Sequence, residues 1–141
     1  MSTAPFAIRQ LDHIVLRTAD LPRLVAFYRA LGCSVERDVT ERLGMMQMRL
    51  GASMLDIIDV HGALGGEGAG PPTQRGRNLD HFAVRVEPYD EQAILDFCDA
   101  AGIEATVPPF ELLGAEGVGP AVYIQDPDGN RVELKGPVSV A

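Results

Sequence analysis

Positive charge is scarce in this chain. Twelve Lys and Arg stand against twenty Asp and Glu, a formal net charge of −8 over 141 residues. Binding to a phosphate backbone needs clustered Lys and Arg, so a general nucleic-acid partner is excluded. Cysteine is also scarce. Cys33 and Cys98 are the only two, too few for a disulfide framework, and they read as small buried hydrophobes in a reducing compartment. No apolar run approaches membrane-spanning length, and residues 1–10 lack the hydrophobic stretch of a signal peptide. A cytoplasmic protein with no membrane partner is the expectation. Aromatic residues make up only 6%. What remains is an ordinary globular composition, 46% hydrophobic and 23% charged, at the length of one domain with its own core.

The chain repeats itself. Leu11-Asp12-His13-Ile14-Val15-Leu16-Arg17 returns about half the chain later as Leu79-Asp80-His81-Phe82-Ala83-Val84-Arg85, sharing Leu, Asp, His and Arg. Each copy then runs into a helical pattern. Asp20 caps the first, with Pro22 in its opening turn, and Leu24, Phe27, Tyr28 and Leu31 form the apolar stripe before Gly32. Asp90 caps the second, whose stripe is Ile94, Phe97, Cys98 and Ala101, and Gly102 ends it.

Strands follow each helix. In the first half they are Ser34–Asp38, Met45–Leu50 and Met54–Val60, with Gly51-Ala52-Ser53 as a tight turn. In the second they are Glu104–Val107, Ala121–Gln125 and Arg131–Lys135, the last two joined by the turn Asp126-Pro127-Asp128-Gly129-Asn130. Residues 62–72 read as a mobile glycine-rich connector, and Phe110–Pro120 as a second loop. Each half is thus strand, helix and three strands. The units span residues 9–60 and 78–136, with a connector at 61–77, inside one domain of residues 1–141.

Strand parity assigns the side chains to faces. Ile14 and Leu16 lie under the first helix, as do Phe82 and Val84 under the second, leaving His13 and Arg17, and His81 and Arg85, on the opposite faces. Leu55 and Ile57 face the helix, so Asp56 falls on the far side with Met54 and Ile58. Val132 and Leu134 do the same for Glu133, which shares its face with Arg131 and Lys135. Each half therefore offers one histidine from its first strand and one carboxylate from its last. A lone strand histidine is usually a hydrogen-bonded structural residue, but the repetition of both ligand types at equivalent positions points to a metal. Two imidazoles and two carboxylates suit a divalent first-row ion. His61, at the edge of the connector, reads as solvent-exposed. Arg17 and Arg85 share the ligand faces and could hold a substrate carboxylate or neutralise neighbouring acids.

Leu11-Asp12-His13, Phe27-Tyr28 and the run from Asp126 to Leu134 resemble the vicinal oxygen chelate (glyoxalase/bleomycin resistance/dioxygenase) superfamily, over about residues 9–136. Within it the chain looks most similar to lactoylglutathione lyase-like proteins. The resemblance implies an α+β fold of two tandem βαβββ units, forming a curved mixed sheet around a metal-binding cleft with the helices outside. It implies a nickel, zinc, cobalt, manganese or iron ion held by His13, His81, Glu133 and, where glyoxalase I has a glutamate, Asp56. Aspartate is one methylene shorter, which leaves that fourth ligand open. Arg17 matches an arginine that contacts a glutathione carboxylate, whereas Val60 stands where glyoxalase I has an asparagine.

The implied activity is a metal-dependent lyase or isomerase working through an enediolate, with Glu133 or Asp56 moving the proton. Two other readings follow from the same residues. His13, His81 and Glu133 alone make the two-histidine, one-carboxylate set of a non-haem iron dioxygenase. A resistance-type protein that binds a small molecule without chemistry is the third, though such members typically lack the full ligand set. The superfamily also sets the expectation of a homodimer and a small-molecule substrate.

Overall fold

The computed structural model describes residues 7–8, 10–66, 70–71, 73, 77 and 79–139. Parts of the expected connector (67–69, 72 and 74–76) therefore lie outside the described residues, as do residue 78, at the start of the expected second unit, and most of residues 1–10. The chain divides into two compact units, Met1–Pro72 and Thr73–Ala141.

The first unit holds β1 (His13–Thr18), α1 (Leu21–Ala30), β2 (Ser34–Val39), α2 (Thr40–Leu43), β3 (Met45–Leu50) and β4 (Ser53–Asp59). The second holds β5 (Phe82–Arg85), α3 (Glu91–Ala101), β6 (Ala105–Thr106), β7 (Leu112–Gly114), β8 (Gly117–Gly119), β9 (Ala121–Gln125) and β10 (Arg131–Lys135). Each carries a four-stranded mixed sheet, ordered β1-β4-β3-β2 in one and β5-β10-β9-β6 in the other. The two orders are the same order. In both units the opening strand lies parallel to the closing strand, while the remaining pairs are antiparallel. The duplication seen in the Leu-Asp-His motif is thus a duplication of topology, and the architecture is α+β as expected. Among the described residues no helix is long and apolar enough to cross a membrane.

Both long helices are capped by the predicted aspartates. The Asp20 carboxylate accepts from the Arg23 amide at 3.1 Å, and that of Asp90 from the Ala93 amide at 3.0 Å, each satisfying an orphan donor of the first turn. The apolar stripes are shifted from the expected ones. In α1 the buried residues are Leu21, Leu24, Val25 and Tyr28. Phe27 is half-buried with its ring edge-on to Tyr28, and Leu31 is half-buried as the C-cap. In α3 only Cys98 is fully buried, while Phe97 is 42% exposed and Ala101 is exposed. A helix turns 100° per residue, so choosing Phe97 over Leu95 rotates the stripe away from the sheet. Both cysteines are free, with Cys98 buried and Cys33 half-buried, and burial pushes both thiols up.

Beneath α1 the sheet presents Leu16, Thr18, Met46, Met48, Leu55 and Ile57, all buried. The second sheet buries Val122, Ile124, Val132 and Leu134 with Cys98. Burying a Leu or Ile side chain stabilises by about 1.5–3 kcal/mol, so these faces anchor each sheet and fix which residues point the other way. The closing hairpin is set by Asp126. Its carboxylate accepts from the amides of Asp128 (2.9 Å) and Asn130 (2.8 Å) and from the Asn130 side chain (2.8 Å).

Two loops differ from expectation. The segment Phe110–Pro120 contains the hairpin β7–β8, paired from Leu112 with Gly119 to Gly114 with Gly117. Residues 62–66 are not a mobile linker but are packed against their own unit. The Leu64 amide donates to the Leu43 carbonyl, and a Cβ on Gly65 would stand 2.0 Å from the Asp59 carbonyl oxygen. Glycine content marks close backbone approach here, not freedom.

Candidate functional site

Register places the predicted ligands. In the parallel pair β1–β4, Asp56 stands opposite Val15, which shares its strand face with His13 and Arg17. In the parallel pair β10–β5, Glu133 stands opposite Ala83, which has the same parity as His81 and Arg85. His81 itself immediately precedes β5. The structure therefore brings His13 together with Asp56 in one unit, and His81 with Glu133 in the other. Both carboxylates are buried, each 6% exposed. That decides their character, because a solvated strand residue would be open to water, whereas a buried carboxylate needs partners.

The first pair has an incomplete partner set. The Gln47 side-chain amide donates to Asp56 Oδ2 at 3.3 Å, across the β3–β4 register. Asp56 Oδ1 is buried with no hydrogen-bond partner among the described residues. An unsatisfied buried acceptor costs about 1–3 kcal/mol, more when charged, so a cation or a proton donor at Oδ1 would be stabilising there. His13 is the neighbouring candidate, since the charge of Asp56 reaches it. Its Nδ1 is bound to Asp12 Oδ1 at 2.6 Å. That hydrogen bond raises the His13 pKa above its ordinary value. Partial desolvation opposes the rise, and the charges of Asp56 and Asp12 add to it.

The second pair is in direct contact. His81 Nε2 lies 3.5 Å from Glu133 Oε1, while its Nδ1 is bound to Asp80 Oδ2 at 2.7 Å. The Tyr123 hydroxyl stands within hydrogen-bonding reach of Glu133 from the antiparallel neighbour position on β9. Its ring stands edge-on to His81 at 5.7 Å, and the Arg131 guanidinium covers the ring at 3.8 Å. Burial chiefly raises the Tyr123 pKa, with the charge and hydrogen bond of Glu133 adding to it and Arg131 opposing.

The donor sets fit a divalent cation. With Nδ1 donating to an aspartate, which as a carboxylate can only accept, a neutral imidazole presents a bare lone pair at Nε2. In His81 that lone pair faces a carboxylate oxygen, two acceptors that nothing but a proton or a cation reconciles. Two ligands held about 2.1 Å from one tetrahedral ion stand roughly 3.4 Å apart, close to the observed separation. Among the described residues no three or more His, Cys, Asp or Glu are gathered into a group that could hold a metal. What the structure shows is one imidazole–carboxylate pair in each unit.

The two arginines have distinct surroundings. Arg17 Nη2 donates to the Gly65 carbonyl at 2.8 Å, tying the packed glycine turn to β1. Arg85 is met by acids, with Glu116 at 2.9 Å from Nε and Glu87 at 3.4 Å, and it also donates to the Val86 carbonyl. The neutralising role is the one realised there. His61 is exposed, as expected.

Sequence reasoning passed over Gln47 and Tyr123. The available signal was parity: Gln47 is the polar residue between Met46 and Met48, and Tyr123 sits between Val122 and Ile124, so both must face away from the helix. It also passed over Asp12 and Asp80, although both belong to the repeated motif. Lys135 is buried on the Glu133 face, its Nζ 3.5 Å from the carbonyls of Gly117 and Gly136.

The family model of the glyoxalase/bleomycin resistance protein/dioxygenase superfamily matches residues 10–134. A glyoxalase domain-containing protein, RDO1, of Mycosarcoma maydis is 25% identical over 138 residues, covering 91% of this chain and 68% of the relative. The virulence protein STM3117 of Salmonella typhimurium is 28% identical over 128 residues, covering 90% and 83%. Its crystal structure superposes with a TM-score of 0.71 over 94% of this chain and 100% of that one. The fosfomycin resistance protein FosX of Listeria monocytogenes, in complex with Mn(II) and sulfate, has the same fold at 19% identity, with a TM-score of 0.66 and coverage of 94% and 93%. With the repeated βαβββ topology, its paired histidines and carboxylates, and a match that runs through both units, this chain belongs to the glyoxalase/bleomycin resistance protein/dioxygenase superfamily.

Proposed function

We propose that the protein is a divalent-metal-dependent lyase or isomerase of the glyoxalase type, acting on a small molecule with two adjacent oxygens. One observation carries this reading: each unit presents an imidazole and a buried carboxylate on the same sheet face, with the Nε2 of His81 set against Glu133. His13, His81, Glu133 and Asp56 would hold the ion. The Mn(II) bound by FosX supports a divalent ion of this kind. When bound, such an ion supplies Lewis-acid stabilisation of the charge that develops on the substrate oxygens.

The chain's own residues do the rest. A proton leaves the carbon beside a carbonyl and returns to the neighbouring carbon, so the reaction is a net isomerisation that needs no oxidant. Asp56 Oδ1 is the better acceptor for that proton, because no donor quiets it, whereas the Tyr123 hydroxyl is within hydrogen-bonding reach of Glu133. Arg17, on the His13 face, is the residue for an anionic group of the substrate. Arg85, matched by Glu116 and Glu87, is the weaker choice. A homodimer is part of the same proposal.

The test is conversion of a methylglyoxal–glutathione hemithioacetal by purified protein reconstituted in turn with nickel, zinc, cobalt, manganese and iron. Turnover with at least one ion that is lost in Asp56→Ala is the expected result. No conversion with any ion contradicts the lyase reading. Oxygen uptake on a catechol with ferrous iron would replace it with the dioxygenase one.

A further inference from the structure

Both ligand histidines are preceded by an aspartate, and both aspartates do the same unusual thing. Alternation along a strand would send the side chain of residue i−1 away from that of residue i. Yet the Asp12 carboxylate returns to His13 Nδ1 at 2.6 Å, and the Asp80 carboxylate to His81 Nδ1 at 2.7 Å. Both aspartates are solvent-facing, with side chains 87% and 85% exposed, so neither is there to fill a core or to pair a buried charge. Each lies just ahead of its strand, outside the run of regular alternation, and the Asp12 carbonyl accepts from the Met54 amide.

We propose that Asp12 and Asp80 are positioning residues, one per unit, that lock His13 and His81 in the Nδ1–H tautomer and so aim a bare Nε2 at the metal. This rests on the reading of the two histidines as ligands. The chemistry is direct. An ionised carboxylate offers no proton, so Nδ1 must donate and the lone pair of the neutral ring sits on Nε2. The same bond fixes the rotation of the ring and raises its basicity as a ligand. In the second unit the consequence is visible, since Nε2 is the atom turned to Glu133 at 3.5 Å. Free imidazole side chains prefer the opposite tautomer, with the proton on Nε2, so the motif works against an intrinsic bias at two sites. His61, preceded by Val60, serves as an internal reference for the ordinary preference.

The experiment is nitrogen-15 NMR of the three histidines in metal-free protein at about pH 9, well above the ordinary imidazole range, followed by metal titration with manganese and zinc. His13 and His81 are expected as Nδ1–H tautomers and His61 as mainly Nε2–H. In Asp12→Ala the signal of His13 alone should move toward the Nε2–H pattern, and in Asp80→Ala that of His81 alone. Each variant should lose roughly 10–100-fold in metal affinity, the usual cost of removing such an outer partner. Nε2–H tautomers for His13 and His81 in the unmodified protein would overturn the proposal. So would unchanged metal affinity in both variants. If instead the unmodified protein shows the Nδ1–H tautomers but binds neither ion, the tautomer lock stands and the metal-ligand reading falls.

Discussion

Gln47 and Tyr123 occupy equivalent places in the two units, each on the strand next to the closing strand and each directly across from the carboxylate it serves, Asp56 in one case and Glu133 in the other. The chemistry they supply is not equivalent. An amide at 3.3 Å leaves one oxygen of Asp56 open, whereas a phenol shared with Arg131 and His81 surrounds Glu133. A symmetric topology thus carries an asymmetric pair of carboxylates.

Removing the Tyr123 hydroxyl should show this. Tyr123→Phe keeps the ring against His81 and under Arg131 but deletes the donor to Glu133. The expected result is roughly a tenfold loss in metal affinity or turnover with the fold intact. Spectrophotometric titration of the unmodified protein should place Tyr123 above the ordinary tyrosine range, since burial and the Glu133 charge both oppose ionisation.

His13 should titrate above the ordinary imidazole value in metal-free protein, because Asp12 holds its Nδ1 proton. A raised folded-state pKa adds stability that is fully present below the unfolded value and is lost as pH rises through the folded one. Proton and metal compete for the ring, so metal affinity should climb over that same interval. Proton NMR of His13 checks the midpoint, and Asp12→Ala should lower it.

The helix stripes predict a contrast in stability. Leu24 is fully buried under α1, and Leu24→Ala should cost about 2–5 kcal/mol. Phe97, 42% exposed on α3, should cost far less than a core aromatic when replaced by Ala, about 1 kcal/mol. Urea denaturation separates the two.

The glycine turn predicts another. Gly65→Ala forces a Cβ to within 2.0 Å of the Asp59 carbonyl oxygen and 2.7 Å of Val60 Cα. Such backbone contacts cannot relax by a rotamer change. The expected loss is about 1–3 kcal/mol, with weakening of the Arg17–Gly65 hydrogen bond. Gly70→Ala meets nothing within 4 Å and should change stability by less than about 0.5 kcal/mol.

Much of this is legible in the sequence. The repeat announced two equal units, the caps Asp20 and Asp90 bounded the helices, and two-residue alternation sorted Asp56 and Glu133 away from Leu55, Ile57, Val132 and Leu134. What escaped depends on information not local to the sequence. Phe97 and Leu95 are equally apolar, and only the packing of α3 decides which is turned outward. Glycines in residues 62–66 look like freedom until the backbone of Asp59 is seen against them. Cross-strand register, unknown until strands are paired, is what connects Gln47 to Asp56 and Tyr123 to Glu133. The hairpin β7–β8 is built from three-residue strands rich in glycine, too short to announce themselves by periodicity.

We propose that the protein binds a divalent ion through His13, His81 and Glu133, with Asp56 as the fourth ligand. Elemental analysis of purified protein after equilibration with manganese or zinc tests it most directly, run on the unmodified chain and on His13→Ala, His81→Ala, Glu133→Gln and Asp56→Ala. The account predicts one ion per chain in the unmodified protein, loss of stoichiometric metal in each of the first three variants, and weakened binding in Asp56→Ala. Full metal retention in both histidine variants would contradict it.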